Sequence, residues 1–265
     1  MANEGGTLVE DAALLAALPG WAFAFALVLS RAGMAVMLLP GLGEAEPPPI
    51  VRAGLALAIT VLLVPAVAPL VPAVPEIGVG GAAMVAAELL VGAVLGWMAR
   101  LPALALGMAG AVVSYMLGLS SVVQQDPALG GQSAAMARLF GLVAPVLILS
   151  GGLYALPLQA LAGSYQLVPP GSVMPAGPLA EGVAGALVEC FSLAIRLSAP
   201  FLLAGTVFQV ALGLLARLVP QLQVYTVTAP GQILGGLVLL GLLGSRILGA
   251  WTEAVGTAWS TLPGL

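Results

Sequence analysis

Apolar residues form long runs in this chain, and charged residues are the main interruptions. Runs without any charge cover residues 12–30, 53–75, 101–125, 139–180, 197–216 and 218–245. A further apolar run, over 77–99, is interrupted only by Glu88. Because a membrane-spanning helix needs about 20 apolar residues, these runs predict six or seven apolar segments, some holding more than one helix.

Proline and glycine mark the breaks between these segments. The breaks fall at residues 43–49, 69–81, 120–133 and 168–178. None of the segments shows the polar–apolar alternation, over about ten residues, that membrane β-strands require. We therefore predict an all-α integral membrane protein with long, often broken helices. It is expected to be a single membrane domain over 1–265, with a longer helical half at about 14–167, a connection at 168–178 and a shorter half at about 179–262.

Composition narrows the possible functions. Hydrophobic residues make up 61% of the chain and charged residues only 7%, which indicates lipid as solvent. All seven basic residues are arginine, histidine is absent, and Cys190 is the one cysteine. Few residues of the types that usually bind metal ions are therefore present. No Ser-nucleophile, zinc-protease or P-loop motif occurs. We expect neither an enzyme nor a bound cofactor, and no binding of nucleic acid.

Several charges lie within or beside the apolar runs, where exposure to lipid costs a few kcal/mol. Three of them are expected to be buried against protein, lining a polar path or a subunit seam: Glu88, Glu189 and Arg196. Three others are expected near the interface, with side chains reaching the headgroups: Arg31, Arg100 and Arg246.

Two pairs of glycines have the GxxxG spacing that lets helices approach closely in a membrane. They are Gly92 with Gly96, and Gly231 with Gly235. The chain has 35 glycines, so chance accounts for such spacing equally well.

Three stretches carry more specific information. The first is Arg31-Ala32-Gly33-Met34, with the Pro-Gly segment at 39–43 and the residues at 49–52 after it. The second is the segment at 115–120, running into Asp126-Pro127. The third is LARLVPQLQVYTV at 215–227, in which an apolar helix ends in Ala-Arg-x-x-Pro-Gln-x-x-Val.

In this order, the three stretches resemble the FliR family of the flagellar export gate and its counterpart in virulence type III secretion, the SctT-like proteins. The resemblance runs from about residue 21 to 249, and its third motif is the most specific. The chain departs from the family at 150–154, where a histidine-containing motif is usual, at Tyr225, where phenylalanine is usual, and at 228–230. These differences weaken functional assignments at those positions.

The resemblance implies a FliR-like fold of bent helical hairpins in the inner (cytoplasmic) membrane, within the flagellar basal body. Proteins of this family form a gate with FliP and FliQ, beside FlhB and FlhA, and unfolded flagellar subunits pass through it. Much of that assembly is raised above the bilayer, so apolar surface can face partner subunits as well as lipid.

The resemblance also implies site residues. The family's loop near the second motif acts as a plug in the closed pore, and its counterparts here are Met116, Gly118, Leu119, Val122 and Val123. An ordinary interhelical loop is the alternative. Candidates for a role in assembly are Arg31, Arg217, Pro220, Gln221 and Val224. For Arg217 the alternative is a plain basic residue in the last turn of a helix.

Two other functions remain open from the sequence. A secondary transporter of small solutes would also have broken helices and buried charges. The equivalent subunit of a virulence type III secretion system would share the family motifs.

Overall fold

The computed structural model describes residues 4–44, 46–73, 79–119, 135–218 and 224–265. These residues form seven α-helices and no strand, which confirms the predicted all-α fold. The helices are α1 (Glu4–Leu38), α2 (Pro49–Val67), α3 (Val79–Met116), α4 (Ala135–Ser150), α5 (Ala155–Leu167), α6 (Ala176–Leu218) and α7 (Val224–Ser260). A short 3-10 turn, Ala68–Leu70, extends α2.

Five helices in the described residues are long and apolar enough to cross a membrane. They are Leu18–Leu38, Pro49–Leu70, Val79–Met116, Gly177–Leu218 and Thr228–Ser260. A sixth candidate is the pair Met136–Ser150 and Ala155–Leu167, whose axes meet at 71°. The turn between these two helices includes Gly152 at φ +70°, a conformation that glycine adopts without strain.

Four of the helices, α1, α3, α6 and α7, are longer than the charge-free runs from which they were predicted. Arg100 separates two of those runs, yet α3 continues through it for 38 residues in total, about 57 Å. Arginine is a good helix former, so one charge does not end a helix. A bilayer core is only about 30 Å thick. Long helices such as α3 therefore extend well beyond a single perpendicular span.

The chain divides into two compact units. Unit 1 contains Met1–Ala99, Tyr154–Val183 and Thr261–Leu265, and unit 2 contains Arg100–Leu153 and Ala184–Ser260. Each unit is thus assembled from segments that lie far apart in the sequence.

The core of unit 1 lies where α1, α3 and α5 meet. It consists of small and branched apolar side chains: Ala32, Ala35, Val91, Leu95 and Leu161. A methyl group on Gly92 would overlap the carbonyl of Arg31, and one on Gly96 would lie 2.7 Å from Leu38 Cβ. The first GxxxG pair is therefore a true packing contact between α3 and α1.

Unit 2 has a fixed register among α3, α6 and α7. At one level, the Cys190 thiol of α6 donates to the Leu101 carbonyl at 3.0 Å, and Trp251 Nε1 of α7 donates to the Pro102 carbonyl at 3.0 Å. About 20 Å further along α3, Gly205 of α6 and Gly236 of α7 pack against its end. Between these two levels, the residue numbers rise along α3 and α6 and fall along α7. Helix α7 therefore runs antiparallel to the other two.

Candidate functional site

The end of α3 is held in unit 2 by a side-chain hydrogen bond. Gln232 Nε2, on α7, donates to the Met116 carbonyl at 2.7 Å. The last carbonyls of a helix have no partner within the helix, so this amide satisfies one of them. Gly118 then turns the chain at φ +74°, where a side chain would be strained. The bond fixes the point at which the chain leaves α3.

Two glycines make room for the side chains at this point. A methyl group on Gly205 would lie 2.8 Å from Met116 Sδ, and one on Gly236 would overlap the Leu117 side chain. Met116 and Leu117 therefore fit into notches on α6 and α7 that only glycine leaves open. This contrasts with Gly231 and Gly235, where an added methyl group would meet no atom of the described chain. The second GxxxG pair makes no packing contact there.

A cavity of about 260 Å³ adjoins the glycine notches. Its lining is mainly apolar and comes from the end of α3 and from facing parts of α6 and α7, including Met116, Phe201, Phe208, Gly231, Gly235 and Leu239. Met116 thus lies between packed protein and open space. Its flexible thioether suits a position that borders an irregular gap.

A second polar centre lies in the core of unit 1. The guanidinium of Arg31 binds the carboxylate of Glu88 through two bonds, Nε to Oε2 at 2.7 Å and Nη2 to Oε1 at 2.9 Å. Both side chains are completely buried. The sequence favoured an interface position for Arg31, and the structure corrects this. The arginine remains in the interior because a buried carboxylate faces it and satisfies its donors.

The surrounding groups complete this network. Arg31 also donates to the carbonyl of Val168 at 2.9 Å and to Ser164 Oγ at 3.3 Å, and its guanidinium lies 4.2 Å from the ring centre of Tyr165. The Gly171 amide donates to Glu88 Oε1 at 2.8 Å. The ion pair therefore joins α1 and α3 to α5 and to the segment after it. Its donors are used by the protein, which makes it a structural centre rather than a ligand site.

The other predicted residues fall in different places. Glu189, Arg196 and Arg217 are exposed on α6. The described residues do not bury Glu189 or Arg196, so the burial favoured for both stays a prediction. Gly118 and Leu119 are partly buried beside Met116. Val122, Val123, Pro220 and Gln221 lie outside the described residues, as does the side chain of Val224.

Three residues that hold the end of α3 were not singled out from the sequence: Gly205, Gln232 and Gly236. Because glycine is common throughout the chain, nothing in the sequence distinguishes Gly205 and Gly236 from the other glycines. Gln232 is a polar residue within an apolar helix, and that feature could have drawn attention to it.

Comparison with known proteins identifies the family of this chain. Residues 22–258 match the family described as "Bacterial export proteins, family 1". The chain is 33% identical over 230 residues to the flagellar biosynthetic protein FliR of Caulobacter vibrioides, covering 86% of this chain and 91% of the relative. It is 29% identical to FliR of Bacillus subtilis, covering 82% of this chain and 84% of the relative.

A protein from a virulence system is also similar. The Yop proteins translocation protein T of Yersinia pestis is 28% identical over 151 residues, which cover 56% of this chain and 57% of the relative. The family match extends over nearly the whole chain and includes all three sequence motifs, so this chain belongs to the bacterial export proteins, family 1.

Proposed function

We propose that this chain is a component of the flagellar type III protein export gate. In this proposal it assembles with FliP- and FliQ-like subunits, beside FlhB- and FlhA-like proteins, in the inner membrane at the flagellar basal body. Unfolded flagellar proteins pass through the resulting pore. The family match over residues 22–258 is the observation that carries the proposal. The flagellar role is favoured over a virulence role because the Caulobacter FliR aligns over 86% of the chain and the Yersinia protein over 56%.

Within this gate, we propose that the segment after Leu119 acts as a plug-like loop that restricts leakage. The anchoring of Met116 by Gln232 and of Leu117 by Gly236 supports this, because it gives the segment a firm starting point. Val122 and Val123 would contribute apolar side chains to the seal. The structural alternative is an ordinary interhelical loop.

Assembly and export can be tested directly. Cells lacking the chain are expected to lose flagellar filaments and motility, and the wild-type chain should restore both. An affinity-tagged chain should co-purify with FliP- and FliQ-like subunits. Recovery as a lone monomer or homo-oligomer, with normal motility in its absence, would favour a small-solute transporter instead.

The plug requires a separate test. Deletion of residues 120–128 is expected to raise the leak of ions or small solutes in cells that make the whole gate. The amount of gate complex must be measured in the same cells, because a lost complex would also change leakage. An unchanged leak, with normal assembly, would contradict the plug and leave the role in export intact.

A further inference from the structure

The cavity beside the end of α3 is kept open by glycine. Its volume is about 260 Å³, and it opens at the surface of unit 2, because its lining includes Ala204, Gly231 and Gly235, which are exposed. A methyl group on either glycine would meet no atom of the described chain, so a larger side chain has room to occupy this space. Glycine within a helix is less stable than alanine, and these two glycines make no packing contact with the described residues. The open space therefore calls for an explanation other than helix packing.

Met116 is the residue that can use this space. It is the last residue of α3 and is partly buried, and it lines the cavity as well as the notch at Gly205. Methionine has three rotatable side-chain bonds and adapts to irregular surfaces. An engineered apolar cavity of about 150 Å³ holds benzene, which is a larger group than a methionine side chain. The cavity is therefore large enough to receive the side chain of Met116 without displacement of α6 or α7.

Few contacts hold Met116 in its present position. One hydrogen bond, from Gln232 Nε2 to the Met116 carbonyl at 2.7 Å, closes the end of α3, and the net contribution of a single hydrogen bond is modest. The turn that follows is made by Gly118 at φ +74°, and glycine can adopt other backbone conformations as readily. Leu117, in contrast, is buried against Gly236. The methionine can therefore move while its neighbour stays packed.

We infer that Met116 has two positions, the notch at Gly205 and the cavity, and that it moves from the notch into the cavity when the gate opens. The movement breaks the hydrogen bond from Gln232 and loosens the turn at Gly118. Switches of this kind depend on an element with two discrete packed arrangements. The inference rests on the proposed function, because it assumes a pore that opens for export. It adds the step that releases the end of α3 and the place that receives the displaced side chain.

A reversible cross-link tests whether Met116 must leave the notch. A Cβ atom added to Gly205 would lie 3.1 Å from Met116 Cβ, so the pair Gly205→Cys and Met116→Cys can form a disulfide after a small shift. In cells that make the whole gate, a membrane-permeant oxidant should lower the export of flagellar subunits by about tenfold or more, because the open arrangement is no longer populated. A reductant should restore export. The reduced double variant is the control, and wild type shows the effect of the oxidant alone.

The disulfide itself is followed by mass spectrometry of the same cells. A double variant that is fully oxidised and still exports as well as its reduced form would overturn the inference. Failure of the disulfide to form in the resting gate would also contradict it, because Met116 would then not occupy the notch at Gly205 when the gate is closed.

Filling the cavity tests the second position. Gly235→Leu places a side chain in this space and should lower export per assembled gate by about tenfold or more, because Met116 can no longer enter. The stability of the purified chain and the leak of the resting gate should match wild type, since the closed position is unchanged. The matched control is Gly249→Leu, on the same side of α7 about four turns later, where an added methyl group also meets no atom of the described chain. It lies outside the cavity lining and should leave export unchanged.

The outcomes separate this inference from the proposed function. If the wild-type chain neither supports export nor co-purifies with FliP- and FliQ-like subunits, the gate proposal itself fails. If the wild-type chain does both, and either the oxidised pair or Gly235→Leu exports like wild type, the two positions of Met116 are wrong and the gate proposal stands. Recovery of the partner subunits with each variant gives the amount of assembled gate, so a variant that assembles poorly is distinguished from one that cannot open.

Discussion

Arg31 on α1 and Glu88 on α3 form a buried, two-bond ion pair, with N–O distances of 2.7 and 2.9 Å. The pair is 57 residues apart in sequence and is enclosed by Ser164, Tyr165 and the carbonyl of Val168. Its position explains how an apolar protein retains an arginine in its core. It also means that three separate chain segments depend on one charge pair for their local order.

Removal of either partner should strongly destabilise unit 1. Arg31→Ala or Glu88→Ala leaves the other charge buried and unpaired, at a cost of about 3–5 kcal/mol. Thermal unfolding of the purified chain in detergent measures this. Replacement of both residues together, Arg31→Met with Glu88→Leu, should recover much of the loss, because no lone charge remains. If either single alanine variant is as stable as wild type, the ion pair has no structural role.

The contact between α3 and α1 predicts a strong effect of a small substitution. Gly92→Ala would push a methyl group against the Arg31 carbonyl and should cost about 1–3 kcal/mol by overpacking. Gly54→Ala in α2 is the matched control, because no atom lies near the added methyl group. Alanine favours helix over glycine, so the control should be neutral or slightly stabilising. The melting temperatures of the two variants are compared. Equal values would argue against the close approach of α3 to α1 at Gly92.

Adjacent glycines on α7 allow a similar comparison at the end of α3. Gly236→Ala would displace Leu117, whereas Gly235→Ala adds a methyl group into open space. We expect Gly236→Ala to reduce stability by about 1–3 kcal/mol and to reduce motility, since it shifts the segment after Leu119. Gly235→Ala should have no effect on the stability of the isolated chain. Both are measured by thermal unfolding and by swimming in soft agar. If Gly236→Ala matches Gly235→Ala in both assays, the close packing of Leu117 against Gly236 is contradicted.

Replacing Gln232, whose side-chain amide holds the Met116 carbonyl, should lower the stability of the chain. Gln232→Leu removes the bond to the Met116 carbonyl while keeping a similar volume, and should cost about 0.5–1.5 kcal/mol. Hydrogen exchange of the backbone near the end of α3 should become faster than in wild type. Gln209→Leu, an exposed glutamine on α6, serves as the control and should leave exchange there unchanged.

Removing the hydrogen bond of Trp251 should lower the stability of unit 2 by a modest amount. Trp251 is fully buried and donates to the Pro102 carbonyl. Trp251→Phe keeps most of the apolar volume but removes the donor, so it should cost about 1–3 kcal/mol. Unfolding of the purified chain tests this. A loss no larger than that for Trp97→Phe, at a partly exposed tryptophan, would show that the bond contributes little.

The fold class and most helix ends follow from the sequence. Low charge indicates a membrane solvent, and the break predicted at 43–49 ends where α2 begins, at Pro49. The number of helices did not follow as directly, because Arg100 looked like a boundary and is instead inside α3. Single charges are poor markers of helix ends when long side chains can reach a polar partner.

Hydropathy and the ordered motifs are enough to identify an apolar, helical protein of the bacterial export family, because both can be read without knowledge of contacts. Which charges are paired and which glycines are packed could be seen only in the folded chain. Arg31 and Glu88 meet while Glu189 and Arg196 remain exposed, and Gly92 is crowded while Gly235 is open. These distinctions depend on which helix faces meet, and residues far apart in the chain reveal that only when they are packed together.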